Sequence, residues 1–265
     1  MAGAAITVDG ETDFDASLLA NPAALSGDDT IRVELPDALH DSVAVASGAG
    51  NDTVTIAGGG ARLHVHAGTG NDVVNVLSGS HFLEGGSGVD TVVYAGKRGD
   101  YGLTVTAEAL FTTTAASGAR DTLTNVERIE YADGALAFDT DGSAGQTYRL
   151  YLSAFDRAPD QAGLGFWISA LDGGATLLDA SREFIASQEF ATLYGGQVDN
   201  GKFVELLYQN VLHRAADKAG YDYWAGALQS GDTDRAHMLV DFSDSAEHRD
   251  DVSASIASGI AYLPY

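Results

Sequence analysis

The chain of 265 residues contains no cysteine, so disulfides and thiolate metal sites are excluded from the outset. Cations are scarce: 14 Lys and Arg stand against 38 Asp and Glu, a formal charge of −24. A surface of that sign repels phosphate backbones and anionic lipid, which rules out nucleic acid as a partner. It attracts divalent cations, and without them self-repulsion opposes compaction. No apolar run is long enough to span a bilayer, and Met1 to Asp9 has neither the basic start nor the apolar stretch of a conventional signal peptide. Catalytic signatures are missing as well: there is no His-Glu-x-x-His, no Gly-x-Ser-x-Gly and no Gly-x-x-x-x-Gly-Lys. The expectation is a non-enzyme of about two domains.

What the chain has is glycine, 32 residues of it, and one phrase written three times. The copies are Gly48-Ala49-Gly50-Asn51-Asp52-Thr53-Val54, Gly68-Thr69-Gly70-Asn71-Asp72-Val73-Val74 and Gly86-Ser87-Gly88-Val89-Asp90-Thr91-Val92. Glycine allows turns in which backbone carbonyls converge, and carbonyls with a carboxylate form a hard-oxygen cage suited to calcium. Asp52 and Asp72 lie 20 residues apart and Asp72 and Asp90 18, about two nine-residue units of the form G-G-x-G-x-D-x-U-x each. If one unit makes a turn and a short strand, two units make a lap, and the three turns stack along one edge. The opposite edge, Ala57 to Ala61 and Ser78 to His81, keeps turn residues without an Asp at the ligand position. Calcium is therefore expected on one edge only. Gly27 to Ile31, with Asp29, reads as a decayed earlier lap.

This stretch resembles the RTX (hemolysin-type) calcium-binding β-roll family. The resemblance implies a parallel β-roll in which about two calcium ions are held by turn carbonyls and stacked aspartates. Carried over residue by residue, the metal positions are Gly48, Gly50, Asn51, Asp52, Gly68, Gly70, Asn71, Asp72, Gly86, Gly88 and Asp90. Ser47 and Ala67 depart from the pattern by replacing the first glycine in two copies. The family also implies type I secretion, which suits a chain without cysteine. The charge-poor tail, residues 251–265, is similar to an uncleaved C-terminal secretion signal read by the export machinery.

Around the repeats, residues 1–45 are expected to cap the spiral, with strands at Ala5 to Val8 and Ile31 to Leu35 and a helical turn at Ser17 to Ala20. The roll itself spans 46–93. Period-two alternation points Val54, Ile56, Leu63, Val65, Val74, Val76 and Val92 inward and His64 and His66 outward. That histidine pair, with His81 a conceivable third ligand, reads as a solvated pair rather than a zinc site. Residues 94–145 form a flank: Asp121 to Gly134 is similar to the hairpin that follows RTX repeats, and Asp139 to Gly142 reads as an acidic linker, since Leu150 stands where an EF-hand needs Glu.

From Gln146 the period changes to 3.6, with Tyr148, Tyr151, Leu152 and Phe155 on one helical face. Residues 146–196 then repeat at 201–250. A shift of 57 pairs Arg157 with Arg214, Asp160 with Asp217, Gly163 with Gly220 and Trp167 with Trp224, and a shift of 58 pairs Ser187 with Ser245 and Glu189 with Glu247. Asp160, Asp217, Ser187 and Ser245 stand at helix N-cap positions. The tandem resembles the bacterial domain of unknown function family 4214, which brings no agreed activity. Trp167 and Trp224 read mainly as packing residues and Arg157 and Arg214 as turn ties. The competing reading lets these four line a glycan-binding groove.

The expected architecture is multidomain β + α, a parallel β-roll followed by an all-α tandem domain. The expected function is a secreted, calcium-binding surface or matrix protein. Calcium folds the roll, and the helical domain binds a surface glycan, lipopolysaccharide or another copy of the chain. The alternatives are a polysaccharide-acting enzyme of unfamiliar type and a purely structural, surface-layer-like assembly unit.

Overall fold

The computed structural model describes residues 26–34, 42–58, 62–106, 111–115 (backbone) and 118–265. The strand expected at Ala5 to Val8 and the helical turn at Ser17 to Ala20 lie outside the described residues. The chain divides into two compact units, Met1–Ala137 and Phe138–Tyr265.

In the first unit, short β-branched segments alternate with glycine turns, and each segment becomes a strand. These are β1 (Thr30–Glu34), β2 (Val43–Ala49), β3 (Thr53–Ala57), β4 (Leu63–Thr69), β5 (Val73–Val76), β6 (Phe82–Ser87) and β7 (Thr91–Tyr94). The next five are β8 (Tyr101–Val105), β9 (Phe111–Ala115), β10 (Arg120–Thr124), β11 (Arg128–Tyr131) and β12 (Gly134–Ala137). Successive strands up to β7 go to alternate sheets. One sheet runs β1-β3-β5-β7-β11 in parallel and continues into the antiparallel β11–β12 hairpin. The other runs β2-β4-β6-β10 in parallel, then β9 and β8 antiparallel. Val54, Ile56, Leu63, Val65, Val74, Val76 and Val92 are all buried, so alternate side chains from both sheets form the core.

The second unit contains, among its described residues, α1 (Ser143–Phe155), α2 (Gln161–Asp172), α3 (Leu177–Ala186), α4 (Gln188–Tyr194), α5 (Asn200–Val211), α6 (Lys218–Ser230), α7 (Arg235–Ser243), α8 (Ala246–Ile256) and the short strand β13 (Ile260–Tyr262). Helix α1 begins at Ser143, ahead of the change of period at Gln146, because Asp139 accepts the Ala144 amide (3.1 Å) and fixes the first turn. The segment expected to be a linker is thus part of a helix start. Side-chain caps set four further boundaries as their residue types dictate. Asp160 accepts from Gly163, Asp217 from Gly220, Ser187 from Phe190 and Ser245 from His248. Helix α1 ends just before Asp156, at φ 49, and α5 two residues before His213, at φ 50; both are non-glycine residues in the left-handed region, a pair related by the same repeat shift.

Helix α1 does not present one face as its periodicity suggests. It packs against α2, α3, α7 and α8. Ala144, Thr147, Arg149, Leu150, Tyr151, Ser153 and Ala154 are buried, whereas Tyr148, Leu152 and Phe155 are only half-buried. A helix enclosed on several sides loses the amphipathic signature from which a single face is inferred. Buried Arg149 is held by Asp244, with Nε and Nη2 at 3.2 and 2.5 Å from its Oδ1, and by the Thr140 carbonyl at 2.6 Å.

Candidate cation site on one edge of the sheets

Parallel pairing stacks the three glycine turns, with Gly48 opposite Gly68, and Gly68 opposite Gly86. The stack is so tight that a Cβ on Gly70 would lie 2.0 Å from the Gly50 carbonyl oxygen, and one on Gly88 1.9 Å from that of Gly70. Both glycines also have φ in the left-handed half, +123 and +136. Only glycine fits, and the consequence is a column of turn carbonyls running along the edge.

Two side-chain columns follow the stack. In the inner one, each amide donates to the carboxylate of the next lap: Asp29 to Asp52 (2.8 Å), Asp52 to Asp72 (2.8 Å), Asp72 to Asp90 (2.9 Å) and Asp90 to Glu127 (2.9 Å). The outer column runs the other way, with Asn51 donating to Asp28 (2.7 Å), Asn71 to the Asn51 side-chain oxygen (2.7 Å) and Val89 to that of Asn71 (2.9 Å). Asn51 and Asn71 are exposed and act as spacers. Asp52, Asp72 and Asp90 are only 1%, 1% and 2% exposed.

Each of the three aspartates has one oxygen bonded and one left over. The Oδ2 atoms of Asp52, Asp72 and Asp90 are buried with no hydrogen-bond partner among the described residues. Ser47 lies close enough to Asp52 to hold its pKa down in part. Its hydroxyl hydrogen nevertheless goes to the Ala67 carbonyl at 2.8 Å, so Asp52 Oδ2 receives no bond. Burial raises all three pKa values, and the neighbouring carboxylates add to the rise; Asp90, facing Asp72 and Glu127, is pushed up to about 7. A file of desolvated carboxylates with orphaned oxygens is costly unless something positive meets it. The available donors are all oxygen, the chemistry that suits a hard cation. No three His, Asp or Glu side chains converge into a cage among the described residues, so a cation here would rest on carbonyls with one or two carboxylates at a time.

Of the predicted metal positions, the glycines and Asn51, Asn71, Asp52, Asp72 and Asp90 therefore share this edge, with the asparagines pointing outward and the aspartates inward. Sequence reasoning missed Asp28 and Glu127, which continue the two columns at opposite ends. Asp28 lay within the decayed lap already noted; Glu127 follows no glycine turn and left no repeat signal. His64 and His66 are on the outer sheet face, where the His64 ring lies tilted against Phe82 (4.7 Å) and His66 meets Glu84 (2.6 Å). His81 is not with them: it is 1% exposed and bonded to Leu63 and Ser78.

The helical candidates separate into two equivalent sets. Arg157 makes a bidentate pair with Glu189 (2.6 and 3.1 Å), and Arg214 one with Glu247 (2.7 and 2.9 Å). Half-buried Trp167 packs on Phe184 and Trp224 on Phe242, both at 5.5 Å between rings. Each Arg clamps the turn before the second helix of its repeat to the start of the fourth, and each Trp packs against the core. An open groove of about 950 Å³ includes Arg214 with Lys202, His213, Lys218 and Tyr221, but neither Trp.

The family described as Domain of unknown function (DUF4214) matches residues 181–252. The match begins in α3 and ends in α8, and supports the helical C-terminal region. No curated protein matches the chain. No described helix is long and apolar enough to cross a membrane.

Proposed function

We propose that the first unit is a calcium-binding, RTX-like roll and that the chain is a secreted surface or matrix protein whose folding calcium controls. The observation that carries this reading is the file of three buried aspartates, each with one oxygen on a backbone amide and the other without a partner among the described residues. Calcium is the fitting cation because every neighbouring donor is a hard oxygen and no cysteine or histidine joins the column. The turns containing Asp52, Asp72 and Asp90 define two intervals, hence about two ions. Where calcium is scarce the carboxylates repel and the edge stays open; where it is plentiful, near the millimolar levels that suit extracellular modules, binding and folding are one event. The helical unit then displays a binding or assembly surface for a glycan, lipopolysaccharide or a second copy.

A calcium titration followed by circular dichroism and calorimetry tests this, with Asp72→Ala as the control because Asp72 belongs to both intervals. Rising β-structure and thermal stability, lost in the variant, support the reading. A flat response in the wild type would remove it. The Arg–Glu clamps and Trp–Phe packing favour structural roles for Arg157, Trp167, Arg214 and Trp224 over a glycan groove between the Trp helices.

A further inference from the structure

The edge opposite the carboxylate file carries a column of its own, built from different chemistry. His81 closes the turn Ser78-Gly79-Ser80-His81, in the position that Asp holds on the first edge. Its amide donates to Asp121 Oδ1 (2.8 Å), the same bond that Asp72 makes to Asp90. Asp121 is 4% exposed, and its second oxygen accepts from the Tyr94 hydroxyl at 2.9 Å. The imidazole lies inside the turn, where a Cβ on Gly79 would come within 2.3 Å of Nε2. Nδ1 stands 3.3 Å from the Leu63 amide and Nε2 2.7 Å from the Ser78 carbonyl. An amide can only donate and a carbonyl only accept, so the neutral ring with its hydrogen on Nε2 satisfies both. No atom of His81 or Asp121 is among the buried polar atoms without a partner, in contrast to the three aspartates of the first edge.

We infer that His81 is a built-in occupant of this edge. The ring takes the turn carbonyl and the neighbouring lap's amide that an ion and its waters would otherwise have to satisfy. The second edge therefore closes without a cation and joins β4, β6 and β10 when calcium is absent, leaving only the first edge to be gated. The gated half of this statement rests on the calcium reading; the His81 half does not. Functionally, the calcium-free chain keeps a partly formed sheet on which the carboxylate edge can close, so binding has less backbone to order.

Amide hydrogen exchange by NMR on the full chain, in chelator and in calcium, tests it. In chelator the amides of Leu63, His81 and Thr122 are expected to exchange at least about tenfold more slowly than those of Asn51, Asp52, Asn71 and Asp72. Calcium should slow the second group and leave the first unchanged. His81→Ala should release the Leu63 amide in chelator, and His81→Gln, which keeps a donor and an acceptor, should restore part of its protection. That partial rescue separates loss of this bond from general collapse. Equal exchange at both edges in chelator, or full Leu63 protection in His81→Ala, would overturn the inference. A protected, His81-dependent second edge beside a first edge indifferent to calcium would uphold it and defeat the calcium reading.

Discussion

Asparagine at position 72 should reverse the sign of its effect between calcium-free and calcium-loaded protein. Asp72→Asn keeps the shape and the Oδ1 acceptor that takes the Asp52 amide at 2.8 Å, and removes the charge. The native side chain is 1% exposed, and burial, followed by repulsion from Asp52, raises its pKa. In chelator above neutral pH an uncompensated buried carboxylate costs several kcal/mol, whereas an unpaired buried amide costs roughly 1–3. The variant should then be more stable than the wild type by about 1–2 kcal/mol, or about 4–8 °C for a cooperative unit of this size. At calcium a hundredfold above the dissociation constant the wild type gains about 2.7 kcal/mol, and the variant gains little. The order inverts, and the variant becomes less stable by about 0.7–1.7 kcal/mol. Urea unfolding followed by circular dichroism at pH 7.5, with EDTA and with calcium, measures both. If Asp72→Asn destabilises equally under the two conditions, the carboxylate is a hydrogen-bonding strut and the argument fails.

Other perturbations test neighbouring steps. Asp90 has its pKa raised from 3.8 to about 7, so the fold favours the protonated form. In EDTA, stability contributed by this group should be greatest in mild acid and fall by about 2–4 kcal/mol as pH rises from about 4 through 7. The difference in urea stability between wild type and Asp90→Asn across that window isolates the effect. Gly70→Ala puts a Cβ 2.0 Å from the Gly50 carbonyl at φ +123 and should lower the urea stability of the first unit by more than about 3 kcal/mol. In Gly226→Ala, the new Cβ on α6 meets nothing within 4 Å, and the helical unit should gain about 0.5–1 kcal/mol by the same measurement. Arg214→Ala breaks a pair whose side chains are 42% and 43% exposed and should cost under about 1 kcal/mol in thermal melts; a larger loss would mean that the clamp carries more than an exposed ion pair.

The local rules were legible without coordinates. Alternation over four to seven residues decides which valines turn inward, because successive side chains of a strand must point to opposite faces. Three copies of Gly-x-Gly-x-Asp decide which aspartates share an edge, because parallel laps of nearly equal length bring equal positions together. Asp160, Asp217, Ser187 and Ser245 announce helix starts for a reason confined to one turn of chain. The sequence alone therefore determined parallel strands followed by helices, and a file of acidic side chains at the turns between the strands.

Tertiary structure decided where partners come from outside the repeat. Glu127 closes the file from 37 residues beyond Asp90, and Asp121 reaches the His81 amide across 40. Asp121 precedes Thr122-Leu123 as Asp52 precedes Thr53-Val54, but no glycine stands two or four residues before it and nothing local pairs it with a histidine. Arg149 meets Asp244 at a separation of 95 residues, and the helix bearing it is enclosed on so many sides that its periodicity misstates its face. Periodicity reports one element's environment averaged over neighbours it does not name. Which carboxylate is left with a bare oxygen, and which is completed by a hydroxyl and a backbone amide, depends on those neighbours.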